Sequence, residues 1–136
     1  MANAFKLHIC DADGIFFDGD AESVVVPSSD GMVGVMAHHR NEVFSVEPGP
    51  LKYKTPDGEE HHAFVSSGMM RIEDGDVLLL VEDAERPEDI DEDLARREEE
   101  AAREAMLQRQ SARDHIMAEA ALHRAINRQK VKRTFK

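Results

Sequence analysis

The sequence predicts an α+β protein in two parts, an N-terminal all-β sandwich or small barrel followed by a C-terminal two-helix hairpin. Three observations carry this. All 8 glycines lie at or before Gly75, and the last of the 5 prolines is Pro87; the rest of the 136-residue chain has neither. That remainder is rich in Ala, Glu, Arg and Leu, which favour helix. The stretch before it is cut by turn residues at strand-length intervals. The expected division is 1–84 for the β body and 85–136 for the helical arm.

The strands follow in order. Phe5, Leu7 and Ile9 alternate with Lys6, His8 and Cys10, the period of a strand with one buried face. Gly14 and Gly19 flank Ile15-Phe16-Phe17. Ser23 to Val26 is β-branched and stops at Pro27. Val43 to Val46 ends at Pro48-Gly49-Pro50. Leu51 and Tyr53 alternate with Lys52 and Lys54. Asp57-Gly58 is a hairpin signal between two such runs. His62 to Val65, Met69 to Ile72 and Val77 to Val81 complete the set, with Glu73 to Asp76 as a turn between the last two. Many short strands with close turns are the pattern of a sandwich or barrel.

The arm reads as two helices. The first is expected from about Glu88, with Pro87 near its first turn, where Glu88, Asp89, Asp91 and Glu92 suit the positive end of the helix dipole. The break is placed near Gln110-Ser111, because Ser111 to Asp114 fits a capping box. The second helix is expected to run to about Lys130. Ile90, Leu94, Ala101, Ala102, Ala105 and Met106 on one helix face Ala118, Ala121, Leu122, Ala125 and Ile126 on the other. Alanine returns less on burial than leucine or phenylalanine, so the hairpin is expected to pack closely but weakly. Such a hairpin is free to leave the body and dock elsewhere.

Charge divides along the same line. The chain carries −11 overall; residues 1–81 hold −9, residues 82–93 hold −7 and residues 94–136 hold +5. An acidic body and collar therefore precede a basic arm. This balance opposes nucleic-acid binding by the whole chain, and with aromatics at 5% and no Trp the chain has little to stack on bases. The longest apolar run, Val77 to Val81, is too short to span a membrane. No apolar h-region follows the N-terminus, so no signal peptide is expected. The single Cys10 rules out an internal disulfide and fits a reducing compartment.

No constellation for catalysis emerges. Asp11 to Gly14 and Asp18 to Asp20 resemble fragments of calcium loops, but lack the further ligands and distal Glu that the full loop needs; they read as turns. Adjacent histidines on a strand face opposite ways, so His38-His39 and His61-His62 make poor chelators, and no metal site is expected. Cys10 reads as a packed thiol. Ser66-Ser67-Gly68 lacks the frame of a nucleophile elbow. The basic arm is either a solvated face or a surface for an acidic protein partner. Apart from Phe135 it lacks aromatic anchors for a membrane.

The order of parts resembles the ε subunit of F-type ATP synthase over essentially the whole chain. Pro27-Ser28-Ser29-Asp30-Gly31-Met32-Val33-Gly34-Val35 followed by His39 is similar to that family's Pro-x-x-Asp/Glu-Gly-x-x-Gly loop and its His. Pro48-Gly49 before Leu51, the Phe64 to Gly68 turn with Ser67 for a usual Gly, Val77 to Val81 before Ala84-Glu85, and Arg124 to Arg128 match further segments. The chain departs from the family at Ala37-His38, where Pro-Gly is common, and at Arg40-Asn41-Glu42.

The resemblance implies a ten-stranded sandwich and a helical hairpin in a non-catalytic rotor subunit. The body would join the γ subunit to the c ring, with Gly31, Met32, Val33, Gly34 and His39 at the rotor interface. The arm would extend toward the α and β subunits and restrain ATP hydrolysis through Arg96, Arg97, Arg103, Arg113, Arg124 and Arg128. No cofactor is required. Some members bind ATP on the hairpin as a regulatory ligand, which here would use Glu85, Asp91, Arg124 and Arg128; Leu94 stands where that motif has Arg, and leucine cannot hold a phosphate. The implied place is peripheral, on the cytoplasmic face of a bacterial membrane, without direct membrane insertion. The alternative is a free-standing β-sandwich binding module whose basic arm recruits an acidic protein.

Overall fold

The computed structural model describes residues 3–108 and 111–135, and divides into two compact units, Met1–Glu85 and Arg86–Lys136. The first unit is a sandwich of ten strands: β1 (Phe5–Asp11), β2 (Gly14–Ala21), β3 (Ser23–Ser28), β4 (Gly31–Met36), β5 (Glu42–Val46), β6 (Gly49–Lys54), β7 (Glu60–Val65), β8 (Gly68–Glu73), β9 (Asp76–Val81) and β10 (Ala84–Glu85). They form two five-stranded sheets, in the orders β2-β1-β9-β8-β5 and β10-β7-β6-β3-β4.

Alternation sets the core. The inward residues of β1, Phe5, Leu7 and Ile9, are buried, as are Val24 and Val26 of β3, Leu51 of β6, Met70 of β8 and Leu79 of β9. Each such side chain contributes about 1.5–3 kcal/mol relative to exposure. β1 and β9 run parallel, from Leu7 opposite Val77 to Cys10 opposite Leu80. A register shift between Ile9 and Cys10 turns the start of β2. Asp57-Gly58 makes the expected turn between β6 and β7, with Gly58 at φ +90°.

Two tight contacts fix the end of the sandwich near Gly68. Buried Ser66 accepts the Asp83 N–H on its Oγ at 2.7 Å and donates its own N–H to the Asp83 carbonyl at 3.0 Å. A Cβ on Gly68 would lie 1.9 Å from the Leu80 carbonyl oxygen, so only glycine allows β8 and β9 to approach there.

The segment Gly31–His39 was expected as a loop. Its first part, Gly31–Met36, is instead β4, the edge strand beside β3. Two glycines in six residues hide the alternation, but Val35 is buried and supplies the hydrophobic reason for pairing.

The second unit begins with a short 3-10 turn, Pro87–Asp89, followed by α1 (Glu92–Leu107) and α2 (Ala112–Thr134). The first helix therefore starts later than the expected Glu88. Ile90 is extended (φ −81°, ψ 123°) and buried, which stops the 3-10 turn, and Asp91 then caps α1 by accepting the Leu94 N–H at 3.0 Å. Ser111 caps α2 by accepting the Asp114 N–H at 3.2 Å; Gln110, the other half of the expected break, lies outside the described residues. α2 continues past Lys130 to Thr134. The buried seam is narrower than expected: Ala95 and Ala102 on α1, Ala118 and Ala125 on α2, each pair seven residues apart, with Gln129 and Val131. Leu94 and Ala101 are exposed rather than in the seam.

Candidate functional site

The sandwich offers an open edge and an open face. The edge is β4. Met32 and Met36 are 54% and 67% exposed, Val33 is half-buried, and the strand carries no charged side chain. Natural edge strands are usually guarded by charge or proline. Gly31 has φ +111° and needs to be glycine for its own conformation. Gly34 does not: a Cβ there would meet only Val25 Cγ2, at 4.0 Å. The strand ends at Met36 and gives way to a turn at Ala37 and His38, where His38 takes φ +65°, a left-handed conformation that glycine adopts freely. His39 is held locally, its Nδ1 2.8 Å from the Arg40 carbonyl oxygen and its Nε2 4.0 Å from Glu42. Gly31 to Gly34 therefore lie together on one edge, with His39 beyond its end.

The face was not anticipated. Strand register lines up Ser45, Met69, Leu80, Cys10 and Ile15 across all five strands of the first sheet. Ile15 is 71% exposed, Met69 and Leu80 are also open, and Cys10 is half-buried. The row is outward-facing, because the neighbours Ile9, Leu79 and Met70 point into the core. Beside it lie polar contacts: His8 Nδ1 is 2.8 Å from Asp18, and two ion pairs join Lys6 to Asp20 at 3.7 Å and Arg71 to Glu73 at 3.6 Å. An apolar strip rimmed by charge is the pattern of a docking surface.

The hairpin holds three of its six candidate arginines, Arg96, Arg103 and Arg128, in ion pairs. Arg128 Nη1 meets Glu98 at 2.9 Å, and Arg133 Nε meets Glu92 at 2.9 Å, both across the helices. Buried Gln129 donates to Glu99 at 2.6 Å and to the Ala125 carbonyl at 3.3 Å. Glu99 also accepts from Arg103 at 2.9 Å. The Gln129 bond first, and Arg103 second, hold the Glu99 carboxyl below its ordinary pKa. Lys132 donates to the Pro87 carbonyl at 3.1 Å. Arg96 pairs with Asp93 one turn away, at 3.0 Å. Among the described residues no ion pair engages Arg97, Arg113 or Arg124. The sequence missed Arg133 and Gln129, which carry this network. Near the connection between the helices, Leu107, Ile116 and Met117 are exposed.

Of the nucleotide candidates, Glu85 belongs to β10 in the first unit, and Asp91, Arg124 and Arg128 to the second. Asp91 is spent on the α1 cap and Arg128 on Glu98. His61 stacks on Tyr53, ring centroids 5.0 Å apart, and pairs with Glu59 at 3.7 Å. Among the described residues no three His, Cys, Asp or Glu side chains cluster to hold a metal, and no helix is long and apolar enough to cross a membrane.

Fold and surfaces together define a two-part assembly subunit, a β-sandwich with an open edge and face, continued by a polar-latched helical hairpin. Residues 4–87 match the family described as ATP synthase, Delta/Epsilon chain, beta-sandwich domain, and residues 88–133 match its long alpha-helix domain. The chain belongs to this family, among the epsilon subunits of F-type ATP synthase. It is similar to the ATP synthase epsilon chain of Nitratidesulfovibrio vulgaris, with 36% identity over 132 residues, covering 97% of this chain and 98% of that one. The epsilon chain of Clostridium novyi is 36% identical over 128 residues, covering 94% and 97%. In fold it resembles a chain of the Euglena gracilis mitochondrial ATP synthase, at TM-score 0.80 and 22% identity, covering 93% of this chain and 80% of that one. It also resembles a chain in the central stalk and c-ring structure of the Tetrahymena thermophila enzyme, at TM-score 0.66 and 9% identity, covering 93% and 95%.

Proposed function

We propose that this chain is a non-catalytic rotor subunit whose sandwich joins the γ subunit to the c ring and whose hairpin restrains ATP hydrolysis. The observation that carries the docking reading is the open row Met69, Leu80, Cys10 and Ile15, which crosses four of the five strands of the first sheet. In this reading the row takes γ and the β4 edge takes the c ring. Gly34 supports the second assignment, because the fold has room for a Cβ there while a close partner would not. The arm's net +5 supplies the attraction for acidic segments of the catalytic head, with salt-dependent strength. The complex would be peripheral, on the cytoplasmic face of a bacterial membrane, and proton-coupled. ATP as a regulatory ligand has less support, since Asp91 and Arg128 already have partners within the hairpin.

The docking test uses the natural thiol. Cys10 reacts with a maleimide in the isolated chain and is protected once γ is bound; unchanged labelling in the assembled complex refutes the γ face. Gly34→Ala keeps the melting temperature and weakens joining to the c ring. The regulatory test compares hydrolysis by the assembled head carrying the full chain or one ending at Pro87. Faster hydrolysis with the shorter chain supports the brake. Equal rates remove it while leaving the stalk role, and failure of both chains to join the head returns the reading to a free-standing binding module.

A further inference from the structure

Among the described strands, four end the two sheets, and of these only β4 carries no charged side chain. β2 has Asp18 and Asp20, β5 has Glu42 and β10 has Glu85. Pro27 shows which main-chain groups of β4 are free. Its carbonyl accepts from the Glu47 N–H at 3.0 Å, so it points away from β4. Proline has no N–H to give, and its pairing with Met32 is therefore one without mutual hydrogen bonds. Antiparallel strands alternate, so Met32, Gly34 and Met36 all aim N–H and C=O at the open edge, while Gly31, Val33 and Val35 face β3. The side chains alternate as well. Val35 is buried and Val33 half-buried against the core, while Met32 and Met36 stand exposed on the outer face.

We propose that β4 pairs with β4 of a second copy of this chain, antiparallel about a two-fold axis through Gly34. In that register Gly34 faces Gly34, Met32 faces Met36 and Val33 faces Val35. Every outward N–H and C=O of the strand then finds a partner, with valines meeting on the core side and methionines on the outer side. A slip of one residue sets valine against methionine, and a slip of two leaves Met32 or Met36 unbonded. Charge selects the same edge. Residues 1–81 carry −9, so two bodies repel in general. Pairing at β4 sets no acid against acid: Asp30, just before the strand, comes to the end where His38 of the other copy follows it. Each copy gives its one unguarded edge, so the pairing closes at a dimer. It covers that edge while the chain is outside a larger assembly. The pairing stands without the c ring; that ring contact and self-pairing exclude each other rests on the reading above that this edge takes the ring.

The test follows the mass of the full chain by sedimentation across dilution, with Cys10 kept reduced. The parent passes from monomer to dimer as concentration rises, and the dimer tightens with salt as the repulsion between two acidic bodies is screened. Two double variants fix the register, Met32→Lys with Met36→Lys, and Met32→Lys with Met36→Glu. Both alter exposed side chains and keep the parent melting temperature. The first sets lysine against lysine on both sides of the axis and weakens the dimer about tenfold. The second sets lysine against glutamate at the same places and restores the dimer to within about threefold of the parent. A parent that stays monomeric at millimolar concentration overturns the proposal, as do assemblies that grow beyond two copies. A dimer indifferent to the lysine pair, or one that the Met36→Glu change does not restore, overturns it as well. So does a dimer that weakens with salt, which marks an ionic contact elsewhere. Detergent-solubilised c ring added to the parent dimer separates the copies as it binds them. A ring that binds the intact dimer, or binds neither form, overturns the shared edge and leaves the self-pairing in place.

Discussion

Replacing Gly68 with alanine drives β8 away from β9. The added Cβ would sit 1.9 Å from the Leu80 carbonyl oxygen, 2.7 Å from the Val81 Cα and 2.8 Å from the Leu80 carbonyl carbon. Carbon-to-oxygen contacts are relieved near 3.3 Å, so the strands must part locally by about 1.4 Å. All three obstructing atoms are backbone, and no rotamer change relieves them. A ladder hydrogen bond stretched by that amount is broken. Overpacking costs about 1–3 kcal/mol and each lost bond about 1 kcal/mol, which sets the expected loss at about 3 kcal/mol. For a domain of this size that lowers the melting temperature by about 12–24 °C. Thermal unfolding of the full chain, followed by the circular dichroism of the strands, reads the change. Ser67→Ala at the exposed neighbouring position is the control and stays at the parent value. A fall of less than about 4 °C in Gly68→Ala would refute the claim that this approach is obligatory.

Three further outcomes follow from local geometry. Asp91→Ala removes the α1 cap and costs about 1 kcal/mol, read as faster hydrogen exchange at the Leu94 and Ala95 amides with the sandwich amides unchanged. His38→Gly relieves the left-handed conformation at the end of β4 and raises stability by about 1 kcal/mol, net of the extra freedom of the unfolded chain; a lower melting temperature counts against it. The Glu99 carboxyl is held below its ordinary value of 4.5 by Gln129 and then Arg103, so its contribution to the hairpin is complete above that value and is lost as pH falls through the lower folded one. Helical signal therefore drops on acid titration in this window, and Glu99→Gln, which does not titrate, flattens that part of the curve.

The division into sandwich and hairpin was legible because punctuation is local: glycine and proline stop where the helices begin. The buried faces of β1 and β6 were legible for the same reason, each being a period-two pattern within one strand. β4 was hidden because Gly31 and Gly34 interrupt its pattern and only Val35 is deeply buried. β10 is two residues long and leaves no pattern at all. The start of α1 was misplaced because Pro87 suits a helix start as well as a 3-10 turn; the competing signal was Asp91 three residues before Leu94, an N-cap spacing. The apolar row on the outer sheet face could not be read from any one segment. Met69, Leu80, Cys10 and Ile15 each look like an isolated exception to alternation, and only strand register places them side by side. Arg128 was visible as a cation, but its pairing with Glu98, thirty residues away, depends on the helix crossing.

The parallel pairing of β1 with β9 also bears on the order in which the sheet can form as the protein is made. Every other pairing among the described strands is antiparallel, and several join neighbours in sequence. β1 finds β2 as soon as both leave the ribosome, but its other side waits for Val77 to Leu80, nearly the whole length of the body later. Contacts so distant along the chain form late and slowly. Until then a nascent chain carries an unpaired edge on β1, and β9 is the strand that removes it. The helices leave the ribosome only after β9, so the strands of the sheet are free to pair before the two helices are free to pack. A chain ending before residue 76 would leave that side of β1 open, whereas one ending at Pro87 carries every strand of the sandwich.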